Sequence, residues 1–173
     1  MPQTFSLTVK PLTFAFMMQI AIAEGLIWCT ADIKAAYLNV PRPAGEIPIL
    51  TKLEPFVVAD ICRLDPNQLY CIDKCLYGLP DSGRHFYRHY RDALIEEGYI
   101  MSNMDNCLFY KITEEEITFI VLFVDDTLIF SKRQLDIDQF VVNMNRHYEL
   151  TLDTKADSFL GINIGLMRMV QSH

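Results

Sequence analysis

The chain reads as an α+β domain, and three observations lead there. Residues 117–124 and 128–130 are two runs of β-branched and aromatic side chains meeting at a short acidic turn, the pattern of a β-hairpin. Residues 134–148 place Ile137, Phe140, Val141, Met144 and Tyr148 on one face at helical spacing, the pattern of an amphipathic helix. Further short strand candidates are joined by tight turns and mixed with helices, which points to α+β. No linker, repeat or low-complexity segment divides the chain, so residues 11–164 are expected to form one domain between an irregular arm (1–10) and a tail (165–173).

The chain's 173 residues, half of them apolar and 12% aromatic, suffice for one hydrophobic core. The net charge of −7 excludes a domain that holds nucleic acid by bulk electrostatics; any polyanion must meet a local basic face or metal ions. Cys29, Cys62, Cys71, Cys75 and Cys107 form an odd set, and no secretory signal precedes them. Reduced thiols in an intracellular protein, cytoplasmic or nuclear and not secreted, are the expectation. Residues 11–28 are strongly apolar, yet Gln19 and Glu24 interrupt them and Gly25 weakens their end, so a buried helix is expected and no membrane partner.

In chain order, Pro11 can open a helix that runs from 12 to 27, apolar nearly all round. Residues 27–33 (IWCTADI) read as a short strand, 34–39 as one helical turn, and 41–45 (PRPAG) as an open loop. Residues 47–50 and 59–64 are strand candidates, and 69–72 form a returning strand after the turn at 65–67. The loop 75–83 leads into a helix over 83–97, with Ser82 as N-cap and Gly98 as stop. Residues 107–113 and 117–124 are strands around an acidic turn at 114–116; 150–152 and 159–164 close the chain as short strands.

Chemistry concentrates at three places. Asp125 and Asp126 set two negative charges side by side at the mouth of an apolar hairpin, which a divalent cation with a preference for oxygen ligands would neutralise; a solvated Asp-Asp turn is the alternative. Asp32 ends the 27–33 strand, and if that strand neighbours the hairpin, three carboxylates converge as two-metal phosphoryl transfer requires. Its other reading is a cap for the turn that follows it. Arg84, Arg88 and Arg91 recur at i, i+4 and i+7 with Tyr87 and Tyr90 nearby, a basic and aromatic face suited to a phosphate backbone or simply to solvent. A fourth grouping, Cys71 and Cys75 with His85 and His89, imitates a zinc site, but its pairs lie too close together for that spacing. Asp136 and Asp138 lack the glycine and terminal glutamate of a calcium loop and read as the acidic start of a helix.

Five ordered blocks, DIKAAYLN, CLYGLPDSGRHFY, DNCLFYK, FVDDTLIF and FLGI, resemble the reverse transcriptase domain of copia-type retrotransposon polyproteins over about residues 4–164. The resemblance implies a polymerase palm-like antiparallel sheet backed by helices, with truncated fingers and no complete thumb. It implies RNA-directed DNA polymerisation with two Mg2+ (or Mn2+) ions, acting on an RNA or DNA template–primer and dNTPs. Asp32, Asp125 and Asp126 match the three catalytic, metal-binding carboxylates, with Asp125 the more direct ligand beside Asp32. Tyr37 matches the aromatic residue under the incoming sugar that excludes a 2′-hydroxyl, although a plain core aromatic fits the local sequence equally well.

The block containing Arg84, Tyr87, Arg88 and Arg91 matches residues that contact template and nucleotide. Two positions depart from the pattern. Pro80-Asp81 stands where Lys-Gln is usual, so Asp81 occupies a nucleotide-contacting position with a charge that repels triphosphate unless it points away. Phe123 replaces the usual Tyr. The fingers segment that grips triphosphate lies further upstream in the family. A palm-centred fragment that keeps the metal site but polymerises poorly or not at all, or an inactive remnant, is therefore expected. The oligomeric state is left open.

Overall fold

The computed structural model describes residues 7–54, 64–65, 67–114, 116–154, 158–159 and 162–164. Its centre is a six-stranded antiparallel sheet. In chain order the strands are β1 (Ile27–Ile33), β4 (Ile100–Met101), β5 (Leu108–Ile112), β6 (Ile117–Phe123), β7 (Asp126–Ser131) and β8 (Leu150–Asp153). Across the sheet they lie β4-β5-β6-β7-β1-β8, so β1 enters between two strands that come about a hundred residues later. Two small hairpins stand outside it: β2 (Ile49–Thr51) with β3 (Tyr70–Ile72), and β9 (Ser158–Phe159) with β10 (Ile162–Asn163). Among the described residues, three α-helices, α1 (Pro11–Glu24), α2 (Ser82–Glu96) and α3 (Gln134–Met144), complete the α+β architecture.

β7 carries Thr127, Leu128, Ile129, Phe130 and Ser131 in a row, all buried, so it is covered on both faces. A strand wrapped on both sides reads as a continuous apolar run, which is how the segment looks in the sequence. α2 supplies the aromatic cover: Phe86 and Tyr90 stack at 5.7 Å, and both meet Tyr148 edge-on. α3 buries Ile137, Phe140 and Met144 at helical spacing.

Several element ends differ from expectation for local reasons. α1 stops at Glu24 because Gly25 turns left-handed (φ 64°) and the Leu26 N–H returns to Ala21 O at 2.8 Å. It buries a single stripe, Phe14, Met17, Met18 and Ala21, while Leu12 and Phe16 face outward, so it is not enclosed all round. α3 ends at Met144, and the Asn145 side chain accepts the Leu150 N–H at 3.1 Å; Tyr148 still reaches the core from the turn beyond. Ser82 is the first residue of α2 rather than its cap, and its hydroxyl oxygen accepts the Leu76 N–H at 3.1 Å. The segment 159–164 is split between β9 and β10, and β3 pairs with β2; strand candidate 59–64 lies, except for Leu64, outside the described residues.

The arm is anchored rather than free where it is described. Thr8 bridges Phe123, the Val9 N–H donates to Leu122 O, and the buried Asp105 carboxylate accepts the N–H groups of Lys10 and Cys107, each at 2.9 Å. No helix among the described residues is long and apolar enough to cross a membrane.

Candidate active site

β1 and β7 are antiparallel neighbours, and their register pairs Trp28 with Phe130, Thr30 with Leu128 and Asp32 with Asp126. Directly opposed residues on an antiparallel pair share a face, so Asp32 and Asp126 lie side by side at one end of the sheet centre. Thr127 points to the other face, where it is hydrogen-bonded to Tyr90 of α2 at 3.0 Å. That contact, made with both partners buried, fixes the β7 strand immediately beside Asp126.

Asp125 sits in the two-residue connection between Phe123 and Asp126, which are themselves paired. The first residue of that connection, Val124, has φ 58°. Glycine or asparagine usually occupies such a hairpin position, and a β-branched residue there costs roughly 1–2 kcal/mol. Ala35, three residues after Asp32, also has a positive φ of 52°. Backbone strain thus flanks the acidic centre on both of its strands, the kind of place where strain persists only because the surroundings impose it.

No described cation pairs with half-buried Asp125 or with exposed Asp32 and Asp126, whereas the half-buried Glu46, Asp81, Glu97 and Asp136 each have one. Asp126 remains open to solvent, yet the hairpin around it desolvates the carboxyl and the charges of Asp125 and then Asp32 add to that, so its pKa is raised. Three uncompensated oxygen donors fit a hard divalent cation. Their donor atoms do not close to ligand spacing in this arrangement. Among the described residues the group that does, with all donor atoms within 4.8 Å, is Glu46, Asp81 and His85. That second group is already neutralised by arginines. Arg42 holds Asp81 through two bonds of 3.0 and 2.8 Å, and Arg84 reaches Glu46 at 3.3 Å.

Tyr37 stands on the 3₁₀ turn Ala36–Asn39 that follows β1. Its ring meets buried Phe86 edge-on at 5.6 Å and lies 4.4 Å from the ring of Tyr77. Partial burial raises the Tyr37 hydroxyl pKa, and the nearby Asp125 charge raises it further. Tyr37 is therefore both a packed aromatic and a neighbour of the acidic centre; its two sequence readings are not exclusive.

The Asp81 carboxylate is taken by Arg42, whose guanidinium holds its pKa below the ordinary range, and His85 Nε2 lies 3.7 Å from it. Of the basic face, Arg88 is exposed and has no partner among the described residues, Arg84 is tied to Glu46, and Arg91 bonds to adjacent Asp92 at 2.8 and 2.6 Å. Tyr87 is buried and donates its hydroxyl to Asn106 O at 2.8 Å, so its ring belongs to the core and not to the face with Arg88. The four residues of the zinc-like spacing are not gathered: His85 faces Glu46 and His89 faces the Tyr148 hydroxyl.

Sequence reasoning passed over Arg42, Glu46 and the individual role of Tyr77. Nothing in the PRPAG loop signals that its arginine meets a carboxylate 39 residues later. For Tyr77, the Gly78 and Pro80 that follow it were a usable signal, since an aromatic ring on a punctuated loop needs something to pack against.

Residues 3–170 match the family described as reverse transcriptase (RNA-dependent DNA polymerase). The chain is 25% identical over 167 residues to the retrovirus-related Pol polyprotein from transposon TNT 1-94 of Nicotiana tabacum, covering 94% of this chain and 12% of that protein. It is 23% identical over 160 residues to the corresponding polyprotein from transposon RE1 of Arabidopsis thaliana, covering 92% of this chain and 10% of that protein. No solved structure matches. The chain, spanning about a tenth of those relatives' length, belongs to the reverse transcriptase family and is similar to the copia-type transposon Pol polyproteins within it.

Proposed function

We propose that this chain is the catalytic portion of an RNA-directed DNA polymerase that works by two-metal nucleotidyl transfer. One observation carries the reading: Asp32 and Asp126 are opposed across β1 and β7, Asp125 adjoins them, and no described cation compensates any of the three. We read residues 11–164 as a palm-like domain with part of the fingers, 1–10 as an arm and 165–173 as a tail. Asp32, Asp125 and Asp126 would hold Mg2+ or Mn2+, with Asp125 and Asp32 the principal ligands. When bound, such ions activate the primer 3′-hydroxyl and stabilise the departing pyrophosphate.

The protein's own groups have separate tasks in this reading. The strained Val124 turn aims Asp125 out of the hairpin, and the Tyr90–Thr127 bond keeps Asp126 in register. Tyr37, braced on Phe86, forms the floor beneath the sugar of the incoming dNTP. Arg88, with Arg84 and Arg91 when their acidic partners release them, meets the template–primer backbone, and Tyr87 holds their helix from beneath. Asp81 belongs to the nucleotide-side loop without contacting triphosphate, because Arg42 has already neutralised it.

The test is Mg2+-dependent extension of an oligo(dT) primer on poly(rA), with Asp125→Asn as control. Slow but measurable extension that the substitution abolishes is the expected outcome. A second reading, an inactive remnant of a retroelement, is favoured by Asp81 being locked to Arg42 where the family pattern has a nucleotide-contacting Gln. No extension by either well-folded protein would establish that second reading.

A further inference from the structure

The loop 73–81 is held at both of its ends by one residue. The Arg42 N–H donates to Asp73 O at 2.8 Å, and the Arg42 guanidinium grips Asp81 at 3.0 and 2.8 Å. Alongside, the Cys75 N–H donates to Val40 O at 2.9 Å and Pro41 bridges Lys74. The Arg42 side chain is itself buried, at 8% exposure, so the clamp is built into the fold rather than resting on its surface. A loop closed at both ends in this way behaves as a fixed rim.

What the rim presents is Tyr77. Its ring packs on Tyr37 with centroids 4.4 Å apart and planes inclined by 58°, yet 58% of the residue stays exposed. Its packing on Tyr37, which stands on the turn directly after β1 and Asp32, ties the ring to the end of the sheet that carries the acidic centre; burial, then the charges of Asp125 and Asp32, raise its hydroxyl pKa. Beneath it the aromatic contacts continue through Tyr37 to Phe86, then to Tyr90 and its bond to Thr127. An open aromatic face, rigidly mounted beside carboxylates that attract cation-bound phosphates, suits a ligand with a phosphate chain at one end and a flat ring at the other. A nucleoside triphosphate is that class of ligand.

We infer that Tyr77, positioned by the Arg42 clamp, is the aromatic wall on which the base of the incoming nucleotide packs. This rests on the nucleotidyl-transfer reading above. The tilt of Tyr77 against Tyr37 leaves its exposed face free for the base, while Tyr37 remains under the sugar. Tyr77 thereby adds affinity for the base without contributing to the hold on the phosphates.

The test compares two ligands in Mg2+: the 2-aminopurine deoxyribonucleoside triphosphate, whose fluorescence is quenched when its base stacks, and inorganic tripolyphosphate, which has no base. Tyr77→Ala is expected to weaken the nucleotide roughly tenfold and relieve its quenching, within the range for one base stacked on one aromatic. It should leave tripolyphosphate binding and the thermal midpoint unchanged, and Tyr77→Phe should bind both ligands as the original does. Equal weakening of both ligands, no change in either, or a Tyr77→Phe variant as weak as Tyr77→Ala would each overturn the assignment. If the unaltered chain binds neither ligand, the nucleotidyl-transfer reading fails and the assignment falls with it. If Asp125→Asn alone abolishes binding of both while Tyr77→Ala changes nothing, that reading survives and the assignment does not.

Discussion

The fold disfavours charge on the Asp126 carboxyl. Its pKa is raised by desolvation and by Asp125 and Asp32, so ionising it costs the folded state more than the unfolded one. That penalty is absent below the ordinary aspartate range near about pH 4 and fully present once the pH exceeds the raised value. Asp126→Asn should therefore raise Tm at pH 7 without metal, lose that advantage at acid pH, and remove the stabilisation that added Mg2+ gives the unaltered protein. A Tm that falls on substitution at pH 7 would show that the carboxylate is compensated after all. Val124 adds a second local cost, since its φ of 58° is one a glycine adopts freely. Val124→Gly should hold or raise the unfolding free energy, by up to about 1 kcal/mol in denaturant titration. A loss of more than that would mean packing of the Val124 side chain outweighs its strain.

The element that couples the acidic centre to the rest of the site is the α2 N-terminus with the loop before it. Ser82 could be read as a cap from its position, but the structure spends its hydroxyl on Leu76 and leaves the Asp81 side chain to Arg42. Asp81 has a lowered pKa, so its pairing stabilises the fold above the ordinary aspartate range and is lost as pH falls through the lowered value. Arg42→Ala should cost roughly 2 kcal/mol, because the guanidinium is buried and the Asp81 and Glu46 carboxylates would be left without it. Arg42→Met with Asp81→Leu should recover much of that loss in equilibrium unfolding; a double variant as unstable as the single one would show that the clamp's backbone bonds and not its ion pair matter. The start of α1 at Pro11 and the stop of α2 before Gly98 were legible from those residues, whereas α1 was expected to run to Ile27 and stops at Glu24 instead. The Arg42–Asp81 pairing was not, since charge pairing between distant loops leaves no periodic trace in a sequence.

For the molecule as a whole, the sheet order explains which features could be read and which could not. The hairpin β6–β7 is local, so its strands and its acidic tip were visible as two apolar runs around Asp125 and Asp126. The placement of β1 between β7 and β8, which brings Asp32 opposite Asp126, depends on pairing across most of the chain, and only the ordered motif blocks pointed to it. Charge is also a whole-molecule property. With a net charge of −7 and two of the three α2 arginines engaged by acids, few cations are free for a phosphate backbone. The affinity for a primer–template duplex should accordingly fall with salt at a log–log slope between about −1 and −3, reflecting one to three neutralised phosphates. A slope much steeper than that would reveal a basic surface beyond the α2 face.

Mn2+ binding followed by electron paramagnetic resonance decides whether Asp32, Asp125 and Asp126 form a divalent-cation site. The chain is expected to bind Mn2+, Mg2+ to displace it, and Asp32→Asn and Asp125→Asn each to weaken it roughly tenfold, the loss of one carboxylate ligand being worth about 1.4 kcal/mol. A chain that binds no Mn2+, or variants that bind it as well as the original, would contradict the claim that these aspartates form a divalent-cation site.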